Sequence, residues 1–137
     1  AGIPVVQLSI NALKPFDYHL KLGAKLARLR ERGILIIGSG NVVHNLGLID
    51  WRRPAAGFDW NLRFDDAVKA VMTSVPADIL KLTEHPDYRR AAPTPEHFLP
   101  LLYLAGLAGE EPARILTEGH AMGSLSMTAY GLGLPAQ

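Results

Sequence analysis

Apolar and β-branched residues run almost unbroken through residues 4–10 (PVVQLSI), the pattern of a strand buried in a sheet. After a turn at residues 11–15, Asp17 is placed to cap a helix reaching Arg32. Within it Leu20, Leu22, Ala24, Leu26, Ala27 and Leu29 recur at roughly helical spacing with Lys and Arg between them, and Gly33 follows as a stop. Residues 34–37 (ILII) form a second short apolar run between Gly33 and Gly38. Strand, helix and strand in this order predict a right-handed βαβ unit in a parallel sheet. Residues 51–57 (WRRPAAG) then read as a loop. An amphipathic helix is predicted over 59–74, with Leu62, Ala67, Val68 and Val71 as buried positions, and a short helix over 76–82. Residues 83–95 (TEHPDYRRAAPTP) are rich in Pro and charge and predict an exposed loop. Thr94 then caps a helix opening with Pro95 and passing through His97 toward Gly106 or Gly109, with Pro100 near its first turn. Residues 113–117 and 124–131 give two strands joined by Glu118-Gly119-His120. The predicted fold class is α/β, a mostly parallel central sheet flanked by helices.

Length and charge narrow the picture. The 137 residues suffice for one domain, and 48% hydrophobic against 20% charged residues supports a buried core. Lys+Arg at 14 and Asp+Glu at 13 leave a formal charge of +1 with no run of like charges, which argues against nucleic acid or anionic lipid as partner. No apolar stretch approaches the roughly 20 residues needed to cross a bilayer, and no signal pattern opens the chain, so a cytoplasmic protein is the expectation. The absence of an initiator Met before Ala-Gly-Ile-Pro suggests that the sequence starts inside a longer protein.

The chain has no cysteine, so thiolate metal sites and a cysteine nucleophile are excluded, and any metal must use His or carboxylate. Five histidines are the main chemical inventory. His19 reads as a surface or boundary residue and His120 as a turn histidine in water. His44 follows a strand and a Gly-Ser-Gly turn, which makes it a candidate base; a buried histidine bonded to its own loop is the competing reading. His97 sits at a helix start as a candidate ligand, and His85 lies in a loop that could cover a site or simply face solvent. Gly38-Ser39-Gly40 lacks the Lys-Ser/Thr of a phosphate loop and the third Gly of a dinucleotide fingerprint, leaving a nucleotide-binding module as a remote reading. No Gly-x-Ser-x-Gly elbow and no pair of zinc-protease histidines is present.

Two longer segments carry a family resemblance. Gly38-Ser39-Gly40-Asn41-Val42-Val43-His44-Asn45-Leu46 and Pro93-Thr94-Pro95-Glu96-His97-Phe98-Leu99-Pro100-Leu101 resemble signatures of the class III extradiol ring-cleaving dioxygenases, in the 4,5-DOPA dioxygenase branch. Residues 4–10 and Gly123-Ser124-Leu125-Ser126-Met127 resemble the same branch. The resemblance implies extradiol cleavage of a catechol by O2 at one non-haem metal, normally Fe(II), with zinc a possible occupant of an isolated sample. It further implies that His44 is the acid/base residue and His97 a metal ligand. His85 and Tyr88 are then expected to contact substrate from the loop over the cleft. The family's N-terminal metal histidines have no counterpart here. Residues 1–137 are therefore expected to be the C-terminal portion of the dioxygenase domain, with the N-terminal half in the same or a separate chain. The alternative is a catalytically incomplete fragment, or a small-ligand-binding α/β domain.

Overall fold

The computed structural model describes residues 2–135. Helices α1 (Phe16–Arg30), α2 (Asp59–Met72), α3 (Tyr88–Ala91) and α4 (Leu99–Ala108) alternate with 3-10 segments at Leu46–Leu48 and Pro76–Glu84. Four short strands follow, β1 (Arg114–Thr117), β2 (His120–Ala121), β3 (Leu125–Ser126) and β4 (Ala129–Gly131). They pair as two separate two-stranded antiparallel sheets, β1 with β4 and β2 with β3.

The expected parallel central sheet is therefore corrected to a mostly helical architecture. Residues 4–10 and 34–37 join no ladder, and Val5, Val6 and Leu35 are 90%, 92% and 82% exposed. The reason is physical: a β-branched run becomes a strand only when a neighbour takes its backbone hydrogen bonds and covers its faces. Among the described residues no strand pairs with either run, and the Ile34 amide donates instead to the Leu29 carbonyl near the end of α1 at 3.2 Å. No described helix is long and apolar enough to cross a membrane.

The core gathers around α4, whose Leu99, Leu101, Leu102, Ala105 and Leu107 are all buried. A helix apolar on every side must be enclosed on every side. α1 covers one side through glycines: a Cβ on Gly23 would collide with the Tyr103 carbonyl oxygen, and one on Gly106 with the Leu20 carbonyl oxygen. His19 is fully buried at this crossing, its Nδ1 3.1 Å from the Tyr103 hydroxyl, and so is not a surface residue.

α2 contributes Trp60, Phe64, Val68 and Met72, four buried residues spaced one turn apart. The expected face was partly misplaced, since Leu62 is 38% exposed. Aromatic residues carry the buried stripe, and the same side of the helix also buries Asn61 and Asp65. α4 begins at Leu99, not at Pro95, because Pro100 has no N–H and its ring fits only the first turn. Residues 83–95 are not an open loop: they include α3, and Ala91 and Ala92 are buried.

Close helix approach at Gly106 makes it intolerant of any side chain. Gly106→Ala should cost about 1–3 kcal/mol, the usual range for overpacking, read as a lower urea midpoint with an unchanged slope. An unchanged midpoint would mean that the α1–α4 spacing is not set by these glycines.

Candidate functional site

The site is built on residues 41–45, which cross the molecule between α3, the start of α4 and the C-terminal strands. Val42 and Val43 are buried and anchor this segment in the core. The His44 amide donates to the Ala91 carbonyl at 2.8 Å, and the Asn45 side chain donates to the Arg90 carbonyl at 2.8 Å, so the end of α3 fixes one side. On the other side the Ser126 amide donates to the Val43 carbonyl at 3.0 Å and the Asn45 amide to the Ser124 carbonyl at 3.1 Å. His44 and Leu125 form an antiparallel bridge.

His97 lies in the turn just before α4. The Asn41 amide donates to its carbonyl at 3.1 Å, and Gly40 packs so closely on that carbonyl that a Cβ there would collide with it. This explains the Gly-Ser-Gly turn in a way that phosphate binding does not: the glycine admits the protein's own backbone.

The result is a face-to-face stack of His44 on His97, with ring centroids 3.5 Å apart and planes inclined by 13°. His44 is half-buried and His97 is exposed. Partial burial, and then the neighbouring His97, hold the His44 imidazole below its ordinary pKa of 6.5. It is accordingly neutral at pH 7 and able to accept a proton.

The same stack decides what the pair can do with a metal. Imidazole lone pairs lie in the ring plane, so two nearly parallel stacked rings cannot both direct a nitrogen at one ion about 2.0–2.1 Å away. At most one of the two rings can therefore coordinate a given ion. Among the described residues no group of three or more His, Cys, Asp or Glu side chains is placed to hold a metal. The residues present do not fit a metal centre on their own.

The other expected site residues are placed differently. The Tyr88 ring packs edge-on against Phe16 and Phe98 and tilted against Phe64, and burial pushes its hydroxyl pKa up. His85 stacks edge-on against Phe64, and its Nδ1 accepts the Asp87 amide at 3.1 Å. His120 is not a solvent-facing turn residue: its Nε2 is buried 3.4 Å from Asp65 Oδ2. A cavity of about 120 Å3 beside His97, walled also by Gly40, Asn41, Thr128 and Tyr130, is below the roughly 300 Å3 at which ordinary ligand pockets begin.

Residue-level reading missed the buried polar set of Asn61, Asp65, Ser124, Ser126 and Thr128. Its trace in the sequence is the alternation Ser-Leu-Ser-Met-Thr opposite an Asn and Asp four apart on a helix.

Comparison with known proteins fixes the lineage. The family model "Catalytic LigB subunit of aromatic ring-opening dioxygenase" matches residues 2–133. The chain belongs to this family of aromatic ring-opening dioxygenases. It is 44% identical to the 4,5-DOPA dioxygenase extradiol of Escherichia coli (strain K12), over 97% of this chain and 51% of that protein. It is 33% identical to the Beta vulgaris 4,5-DOPA dioxygenase extradiol, over 95% of this chain and 49% of the relative. The crystal structure of the uncharacterized protein JW3007 from Escherichia coli K12 superposes with a TM-score of 0.79 at 42% identity, covering 88% of this chain and 51% of that one. The chain thus spans about half the length of the curated relatives it matches.

The expectation of extradiol cleavage at a mononuclear metal site, with this chain supplying the acid/base His44 and the ligand His97, is overturned as the main reading. No metal-holding donor cluster is present among the described residues, which favours the alternative of a catalytically incomplete fragment. The dioxygenase lineage stands, and an isolated chain without activity accords with it.

The stack has a titration signature. His44 protonates at lower pH than an unfolded histidine, so its contribution to stability is complete above 6.5 and is lost as pH falls through its folded value. His97→Ala should move the His44 NMR titration midpoint upward toward 6.5. A midpoint that stays put or falls would show that His97 does not depress it.

Proposed function

We propose that this chain is a catalytically incomplete portion of an aromatic ring-opening dioxygenase, contributing an imidazole pair to a centre whose remaining donors lie outside residues 1–137. The stacked His44 and His97 carry this reading, because two nearly parallel rings cannot both ligate one ion, which leaves one imidazole free to move a proton. Family membership supports Fe(II) as the metal and a catechol with O2 as the reacting pair. Within that centre His97 is the ligand. Neutral His44 takes the proton of a phenolic hydroxyl, the task of a general base whose pKa lies near or below the working pH. His85 is the proposed substrate contact, since its Nδ1 is occupied by the Asp87 amide and Nε2 therefore carries the donor proton. Tyr88, with its ring in the core, shapes the wall behind it.

A second observation supports a complementary polypeptide. Ile3, Val5, Val6, Leu35 and Ile37 are at least 80% exposed, an apolar surface that strands of a partner segment would cover. The cavity beside His97 is too small to seat an ordinary ligand at the histidine pair within this chain alone.

The test compares the 137-residue chain with the same chain fused behind the uncovered half of the Escherichia coli relative. The chain alone should hold metal substoichiometrically and leave catechols intact. In the fusion, His97→Ala should lose metal, whereas His44→Ala should keep it and lower kcat by about 10²–10⁴-fold. One tightly bound metal with turnover in the isolated chain would falsify the incomplete-centre reading. Metal loss on His44→Ala, with retention on His97→Ala, would reverse the two roles.

A further inference from the structure

Residues 124–128 invert the usual pattern of a strand. Ser124, Ser126 and Thr128 face inward and are buried, while Met127 is 52% exposed and Leu125 half-buried. Apolar burial cannot be what selects this register, because the apolar side chains point the wrong way. The inward hydroxyls must be bonded to something worth the loss of apolar contact.

Their partner is one face of α2. Asp65, with no exposed surface, accepts the Ser126 hydroxyl on Oδ1 at 2.5 Å and the Thr128 hydroxyl on Oδ2 at 3.0 Å. Lys69 Nζ lies 3.4 Å from the same carboxylate and supplies countercharge. One turn earlier Asn61, also fully buried, donates to the Gly123 and Leu125 carbonyls at 2.9 and 3.1 Å. Bonds to a buried carboxylate are among the stronger neutral-donor contacts, and they are directional where apolar packing is not.

Ser126 joins this latch to the site. Its hydroxyl points to Asp65, while its amide donates to the Val43 carbonyl and its carbonyl accepts the Asn41 side chain at 2.8 Å. Ser124 repeats the arrangement one step away, its hydroxyl donating to the Asn45 carbonyl at 2.7 Å. His44 lies between these two attachment points. We infer that Asn61 and Asp65 are positioning residues that hold His44 in its stack on His97, acting through residues 123–128. The catalytic meaning of that placement rests on the proton-handling role proposed for His44; the placement itself does not.

Two readouts on the 137-residue chain test this: amide hydrogen exchange, and the NMR shifts of the His44 and His97 ring protons, which feel each other's ring current only while stacked. Asp65→Ala should speed exchange of the Asn45 and Ser126 amides by about 10- to 100-fold, the range set by losing bonds to a charged acceptor. Amides of α4 should change far less, and the stacking shifts should collapse. Asp65→Asn, which keeps the acceptor for Ser126, should restore most of both. Met72→Ala, on the same helix but outside the latch, should destabilise the fold while leaving the stacking shifts intact. If Asp65→Ala does not fold, Ser126→Ala decides by the same readouts. Uniform acceleration across all core amides, or unchanged ring shifts in Asp65→Ala or Ser126→Ala, would overturn the inference. In the fused enzyme, undiminished turnover for His44→Ala would sink the role of His44 and leave the latch standing.

Discussion

The constraint on which the structure depends is that α4 has no polar face. A ten-residue helix of this kind cannot lie on a surface, so the chain must be wrapped around it. Each wrapping has a consequence at the site. α1 comes close enough only because Gly23 and Gly106 have no side chains. The Gly38–Gly40 turn crosses the start of the helix, where a Cβ on Gly40 would collide with the His97 carbonyl and one on Gly38 would touch Pro100. Enclosing α4 therefore fixes the backbone of His97, and the segment that continues from Gly40 delivers His44 beside it.

What was legible in the sequence follows from which interactions are local. α1, α2, the 3-10 segment at Pro76–Glu84 and strand β1 are close to where periodicity and turn residues put them, because their backbone bonds are satisfied internally or by a near neighbour. Residues 4–10 and 34–37 have the composition of strands but depend on a partner for every ladder bond, and composition cannot say whether the partner is present. Pro100 marks the start of α4 more reliably than Pro95, since a proline five residues into a helix would remove a bond and crowd a carbonyl.

His44 and His97 stood out through the segments that contain them, yet nothing in one dimension shows that residues 53 positions apart stack at 3.5 Å. The polar set was harder still. Asp65 reads on a helix as a solvated charge, and Ser126 and Thr128 read as ordinary strand polarity; only the fold turns them toward one another. A buried carboxylate is the case where residue type predicts the opposite of what occurs.

These two departures differ in kind. Where apolar residues are exposed, at residues 3–10 and 34–37, bonds and contacts are missing. Around Ser124, Ser126 and Asp65, where polar residues are buried, hydroxyls, carbonyls and carboxylate have found partners within the chain. Every bond that fixes the backbone of residues 41–45, and the carbonyl contact at His97, likewise comes from described residues of this chain. The mount of the histidine pair is thus built from within the chain, even though no donor set large enough to hold a metal is present among the described residues. On the proposed reading, a complementary segment would supply sheet neighbours and donors to imidazoles already in place, and would not have to create their arrangement.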